Sequence, residues 1–121
     1  MTTYYHASPT AITTLRSAPL CVTDDRDAAL EYAQGVVYEV SLSGRIADES
    51  DVRDVARSVC PDSPYTTAWE LLEEECGVRE ALIADGWDGV EYEDMTPDNA
   101  REHVTIAVFD AARSATLVGA L

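Results

Sequence analysis

The stretch "VVYEVSL" (36–42) alternates along its length: its first, third, fifth and seventh residues are apolar, and Glu39 and Ser41 lie between them. Successive side chains of a strand point to opposite faces of a sheet, so this pattern predicts a strand with one apolar face. The segment "HVTIAVFD" (103–110) alternates in the same way over 104–109. These two strands form the framework of the predicted sheet.

Shorter elements surround this framework. The further predicted strands are 3–6, 20–23 and 90–92, and the predicted helices are 24–35, 47–60, 66–77 and 78–86. Each helix is indicated by apolar residues at helical spacing, by capping residues at its start, or by glycine or proline at its end. Strand segments therefore flank a helical middle. This order predicts one α+β domain over 1–121, with a mostly antiparallel or split sheet.

The composition is strongly acidic. The chain of 121 residues has 23 acidic and 8 basic residues, all of them arginine, which gives a formal net charge of −15. Such a charge opposes direct binding to a nucleic-acid phosphate backbone. One interpretation is the compositional preference of a GC-rich or salt-adapted host. The other is an acidic surface that docks on a basic partner or imitates DNA.

Several kinds of site lack support in the sequence. The P-loop, Rossmann, hydrolase-elbow and zincin motifs are absent. The three cysteines have no metal-binding spacing and indicate reduced thiols, and the two histidines, His6 and His103, are too distant in sequence to predict a metal site. There is no membrane-length apolar stretch and no leader pattern, so we expect a soluble, cytoplasmic protein without membrane contact.

A few polar and aromatic residues could form a cleft. His6 ends the first predicted strand, and Glu102 and His103 begin the last one, so a split sheet can bring these strand ends together. His6 and Ser8 can form hydrogen bonds with a ribose. Glu102 can hold another ribose hydroxyl and stabilise positive charge at an anomeric carbon. Tyr32 can offer an aromatic face to a planar ring.

Four motifs in this order are similar to those of one family. They are "YYHAS" (4–8), "LCVTDDRDAALEYA" (20–33), "VYEVSL" (37–42) and a closing unit, "GWDGVEYEDM" (86–95) with "REHVTIAVFDAARSA" (101–115). Together they resemble the ADP-ribosyltransferases of the histidine-tyrosine-glutamate branch. The small size and the opening "HASPTAITTL" are most similar to compact phage-encoded members, including the anti-CRISPR ADP-ribosyltransferases.

The resemblance implies a fold and an activity. The fold would be a small split β-sheet core with a helical middle segment. The activity would be NAD-dependent mono-ADP-ribosylation of a host protein, with a nucleic-acid-binding defence complex as one candidate target and NAD consumed as substrate. Hydrolysis of NAD alone remains open. The alternative function is a non-enzymatic acidic binding inhibitor, or a DNA mimic, on the same fold.

The resemblance also implies which residues bind NAD. His6, Ala7 and Ser8 would bind the nicotinamide ribose and the carboxamide region. Tyr32 would stack on the nicotinamide ring, and Thr23 would lie near it at the end of the second strand. No metal ligand is implied.

The catalytic carboxylate implied by the resemblance is Glu102, and Asp94 is its strongest rival. The chain departs from the family pattern at Cys21, where the second motif usually has a tyrosine. It also lacks an arginine close to the first motif, so that Arg16 and Arg26 are the nearest candidates to face a pyrophosphate.

Overall fold

The structure is a computed structural model that describes residues 3–32, 35–95 and 102–120. The strands are β1 (Tyr4–Ser8), β2 (Leu20–Thr23), β3 (Val36–Leu42), β4 (Ile46–Ala47), β5 (Gly89–Met95), β6 (Glu102–Val108) and β7 (Ala115–Ala120). The helices are α1 (Arg26–Tyr32), α2 (Glu49–Val59), α3 (Ala68–Glu74), α4 (Val78–Ala84) and α5 (Ala111–Ser114).

The strands form one mixed sheet, which confirms the predicted α+β class. Their order in the sheet is β4-β5-β6-β2-β1-β3-β7. The pairings are antiparallel except for the short parallel pair of β4 and β5. The strands predicted at 20–23 and 36–42 have the same bounds in the structure.

The junction of β1 and β2 is the narrowest pairing in the middle of the sheet. These strands are in register at one position, Tyr5 opposite Thr23. By contrast, β1 pairs with β3 along its full length, and β2 pairs with β6 along its full length. The sheet is therefore two well-paired parts joined at this single position.

One face of the sheet carries α1 to α4. Helices α2, α3 and α4 pack on β5 and β6 through a buried cluster that includes Val52, Leu71, Leu82 and Val90. Asp48 is the N-cap of helix α2. Its side chain accepts from the backbone N–H of Asp51, the Asp51 side chain accepts from the backbone N–H of Asp48, and this capping box fixes where the helix starts.

Helix α1 covers a separate, smaller area of the same face. Its Ala29 packs with Ala7 of β1 and Val37 of β3. The helical layer is therefore in two parts, α1 over β1 and β3, and α2 to α4 over β5 and β6. The central strand β2 lies between them.

The opposite face is closed by the segment between β1 and β2 and by α5. The apolar face predicted for 36–42 packs here, where Tyr38 and Val40 are buried with Ile106 of β6. The Tyr38 hydroxyl accepts from the backbone N–H of Ile12 at 2.7 Å, which ties the covering segment to the sheet.

Some elements differ from the sequence-based prediction. Strands β4 and β7 and the one-turn helix α5 are not predicted, because β4 has two residues and β7 lacks a sustained apolar alternation. Helix α1 is described to Tyr32, and positions 33–34 of the predicted helix lie outside the described residues. None of the helices in the described residues has the length and hydropathy to cross a bilayer.

Adjacent residues of α4 provide a test of the core. Leu82 is fully buried, whereas Ile83 is 50% exposed. We expect Leu82→Ala to lower the free energy of unfolding by about 2–5 kcal/mol, since it leaves a cavity among three helices and the sheet. Ile83→Ala should cost much less. Urea denaturation of both variants measures the difference, and equal losses would contradict this packing.

Candidate active site

A pocket of about 310 Å³ opens on the helix-covered face, between α1 and α3. Its floor is formed by β1, β2, β5 and β6, where the two parts of the helical layer leave the centre of the sheet uncovered. The pocket is thus a consequence of the helix arrangement. Its volume is at the lower end of the range usual for small-molecule sites.

Aromatic side chains form much of the pocket wall. Tyr32 of α1 and Trp69 of α3 face it from opposite helices, and each is 49% exposed. Tyr5 and Tyr92 complete the wall from the sheet. Such a set of rings suits a planar ligand or a cation, since each ring offers an apolar, electron-rich face.

Two carboxylates, Asp94 of β5 and Glu73 of α3, also line the pocket. Burial raises the pKa of the Tyr32 hydroxyl, and the charge of Asp94 and the hydrogen bond to it add to this rise. Burial also raises the pKa of Tyr92, and nearby groups including Asp94 contribute. Both phenols therefore keep their protons at neutral pH. They act as neutral aromatic walls and as hydrogen-bond donors.

A hydrogen-bonded group connects α1 to the β5–β6 hairpin. The Tyr32 hydroxyl donates to Oδ2 of Asp94 at 3.1 Å and lies 2.9 Å from Nε2 of His103. The Tyr32 and His103 rings meet edge to face, with centroids 5.4 Å apart. Nδ1 of His103 lies 3.0 Å from Oγ1 of Thr23 on β2. Four elements of the fold, α1, β2, β5 and β6, are thus tied together beside the pocket.

His6 lies where β1 and β2 separate. Its Nδ1 is 2.9 Å from the carbonyl oxygen of Cys21, and a carbonyl oxygen can only accept. Nδ1 therefore carries the proton and donates it across the junction. In the neutral ring Nε2 is then an acceptor, and His6 lines the pocket.

The pKa of the Cys21 thiol depends on the charges around the pocket. The residue is exposed towards the pocket, yet the surrounding protein desolvates the thiol and raises its pKa. Arg79 opposes this rise, whereas Asp94 and Glu73 add to it.

The structure brings together most of the residues that the sequence predicted for the site. His6, Ala7, Thr23, Tyr32 and Asp94 all line the pocket. They come from four different elements, so their convergence depends on the sheet order and on the position of α1.

Ser8 and Glu102, by contrast, do not line this pocket. Ser8 is buried, and its Oγ accepts from the backbone N–H of Thr10 at 3.3 Å. Glu102 is exposed and lines a separate acidic depression with Asp24, Asp25 and other residues.

The register of the β5–β6 hairpin explains why the two candidate carboxylates separate. Asp94 is directly opposite His103, so their side chains share the face that bears the pocket. Glu102 is opposite Met95, one position along, and points to the other face.

Other pocket residues were not assigned from the sequence. Thr105 of the pocket and His103 beside it follow from the alternation of β6, because they lie on one face two residues apart. Tyr92 follows from β5 in the same way. For Trp69 and Glu73 the sequence contains no such signal, since it does not indicate which strand α3 lies beside.

The chain is thus a small α+β protein with an aromatic, acidic pocket. Comparison of the chain with protein-family models, with curated proteins and with solved structures gives no match. Within residues 3–32, 35–95 and 102–120, no group of three or more histidine, cysteine or acidic side chains is arranged to hold a metal ion.

The alkylation rate of Cys21 tests the electrostatics of the pocket. Asp94→Asn removes a charge that raises the pKa of the thiol, so the thiolate fraction and the rate at fixed pH should increase. Arg79→Gln should decrease the rate. Each change should be less than about tenfold, which is the effect of one full pKa unit. Iodoacetamide labelling with peptide mass spectrometry measures it, with the exposed Cys76 as internal control. The opposite order of rates would contradict the charge arrangement.

Proposed function

We propose that the chain is an NAD-dependent mono-ADP-ribosyltransferase that modifies a protein and binds the nicotinamide end of NAD in this pocket. The observation that carries the proposal is the position of Asp94. Its carboxylate lies in one pocket with His6 and Tyr32, two of the five residues assigned to NAD from the motifs. His6 lies within β1 and not at its end as predicted, but the pocket still combines a histidine and an aromatic face with a carboxylate that can stabilise the charge developing when a nicotinamide-ribose bond breaks.

The pocket chemistry supports binding of the nicotinamide ring. In NAD this ring is planar and positively charged, and it becomes neutral when its bond to ribose breaks. The aromatic faces of Tyr32 and Trp69 and the carboxylates of Asp94 and Glu73 attract such a ring. After cleavage the neutral ring loses the electrostatic part of this attraction, which favours its release.

Asp94 would stabilise the transition state. As the bond between C1′ of the ribose and the ring nitrogen breaks, the electron pair leaves with nicotinamide and positive charge develops on the sugar. A fixed carboxylate in a partly desolvated pocket stabilises this charge more strongly than water does. The acceptor side chain of the target then bonds to C1′ and gives up its proton to solvent or to a nearby carboxylate.

His6 would orient the ribose. The bond from its Nδ1 to the Cys21 carbonyl fixes the ring, and Nε2 can accept from a ribose hydroxyl. This assignment needs no rearrangement of the junction between β1 and β2.

Arg26 is the better of the two candidates for the pyrophosphate. It starts α1 and lines the acidic depression beside the pocket, and Tyr5 belongs to both cavities. Arg16 lies instead in the segment between β1 and β2, in a cavity formed largely by that segment and sharing no residue with the pocket. Arg26 would supply positive charge to a phosphate in surroundings that are otherwise acidic.

The setting follows from resemblance to compact phage-encoded transferases. The target would be a host protein, and an anti-CRISPR role against a nucleic-acid-binding defence complex suits the formal charge of −15, because such complexes carry basic surfaces.

Two matched carboxylate variants test the activity. We expect the wild type to release nicotinamide from NAD, and a host lysate to gain protein-linked ADP-ribose when the NAD carries a label. Asp94→Asn should reduce both by about 100-fold or more, the usual cost of removing a group that stabilises transition-state charge. Glu102→Gln should change them by only a few-fold. Chromatography of nicotinamide and mass spectrometry of labelled proteins provide the measurements.

The alternative function gives a different result. A non-enzymatic acidic inhibitor would release no nicotinamide and would bind a host complex stoichiometrically, with an affinity that falls steeply as salt rises. Full activity in Asp94→Asn would instead leave the transferase proposal standing but refute the role of Asp94.

A further inference from the structure

We infer that His103 is a positioning residue that orients Asp94 through the hydroxyl of Tyr32. The inference rests on the proposed function, because it concerns the carboxylate of the proposed transferase. His103 lines the adjoining acidic depression but not the pocket among the described residues, so its effect on Asp94 passes through Tyr32.

The position of His103 in the sheet places it next to both Tyr32 and Asp94. It lies opposite Asp94 in the β5–β6 hairpin, so both side chains project from the same face. It is only 6% exposed and is held under the Tyr32 ring. A buried imidazole needs partners for its nitrogens, and here the partners are the hydroxyls of Tyr32, Thr23 and Thr105.

The hydrogen bonds have a consistent direction in one neutral tautomer. The Tyr32 hydroxyl has a single proton, which it donates to Oδ2 of Asp94 at 3.1 Å, and its oxygen lies 2.9 Å from Nε2 of His103. If Nε2 carries the ring proton, it donates to the Tyr32 oxygen, and Tyr32 donates to Asp94. If Nδ1 carries it, Tyr32 must donate to Nε2, and its single proton is then no longer available to Asp94.

The contacts of Nδ1, on the other side of the His103 ring, also favour a proton on Nε2. In the Nε2–H tautomer Nδ1 is an acceptor, and Oγ1 of Thr23 lies 3.0 Å from it, with Oγ1 of Thr105 at 3.3 Å. Oγ1 of Thr23 already accepts from the backbone N–H of Asp25 at 3.2 Å, so its own proton is free to point to Nδ1. The carbonyl oxygen of Val104 is more distant from Nδ1, at 3.4 Å.

The consequence is a chain of donors that ends on the carboxylate. Protons point from Thr23 to His103, from His103 to Tyr32, and from Tyr32 to Asp94. Each hydrogen bond polarises the next, which strengthens the chain. The Asp94 carboxylate is thereby held against α1 in a fixed orientation, and fixed orientation is what transition-state stabilisation demands.

The tautomers of the two histidines provide a direct test without turnover. His103 should carry its proton on Nε2, whereas His6 should carry it on Nδ1, because it donates to Cys21. Nitrogen-15 NMR of the full chain at alkaline pH, where imidazoles are neutral, distinguishes these states. The chain has two histidines, so His103→Gln assigns the signals by the one it removes. A proton on Nδ1 of His103 would overturn the inference and leave the transferase proposal intact.

Kinetics of nicotinamide release test the effect on Asp94. His103→Leu keeps much of the volume but removes the donor, and it should lower kcat by about 10- to 100-fold with a smaller change in KM for NAD. His103→Gln has an amide N–H that can reach Tyr32 and should restore most of kcat. Thermal unfolding of both variants provides the control for folding.

Two kinetic outcomes would overturn the role of His103. One is equal loss of kcat in both variants in proportion to lost stability, which indicates a merely structural residue. The other is an unchanged kcat in His103→Leu. If the wild type releases no nicotinamide at all, the transferase proposal fails and this role fails with it, whatever tautomer is found.

Discussion

The separation of β1 from β2 is the constraint on which the site depends. The two strands meet in register at Tyr5 and Thr23, and beyond this pair each strand follows its outer neighbour. Where the two strands separate, their backbone groups no longer form hydrogen bonds with each other. The His6 ring satisfies one of these groups by donating to the Cys21 carbonyl. The same histidine thus stabilises the junction and faces the pocket that the junction creates.

The helices leave the centre of the sheet uncovered, and the pocket lies there. Helix α1 packs on β1 and β3 with small alanine side chains, so its tyrosine stands at the edge of the helix and reaches the β5–β6 hairpin. Helices α2 to α4 form the main core on the other side. The pocket, its aromatic wall and the hydrogen-bonded group of Tyr32 all lie in the gap between these two packing units.

The sequence predicted the α+β class, β2 and β3, and most of the residues that it assigned to the site do line the pocket. These predictions succeeded because alternation and caps are local signals, and because strand ends in a small sheet converge. Which of the two candidate carboxylates lies in the pocket could not be read from the sequence. Asp94 and Glu102 occupy adjacent register positions of the β5–β6 hairpin, so their side chains point to opposite faces. This register depends on pairing along the whole length of both strands.

The contribution of α3 to the pocket was beyond sequence analysis for a different reason. Leu71 of this helix is buried in the core, but the sequence does not indicate which strand the helix lies beside. The placement of Trp69 and Glu73 at the pocket depends on how three short helices pack together, and no local pattern encodes that.

The half-exposed indole of Trp69 gives the protein a built-in optical reporter. The second tryptophan, Trp87, lies under the guanidinium of Arg45, which is 4.2 Å from its ring, and it does not line the pocket. Emission that changes when the pocket fills therefore comes from one indole against a constant background. Occupancy can be followed in the unmodified chain, in real time, by fluorescence alone.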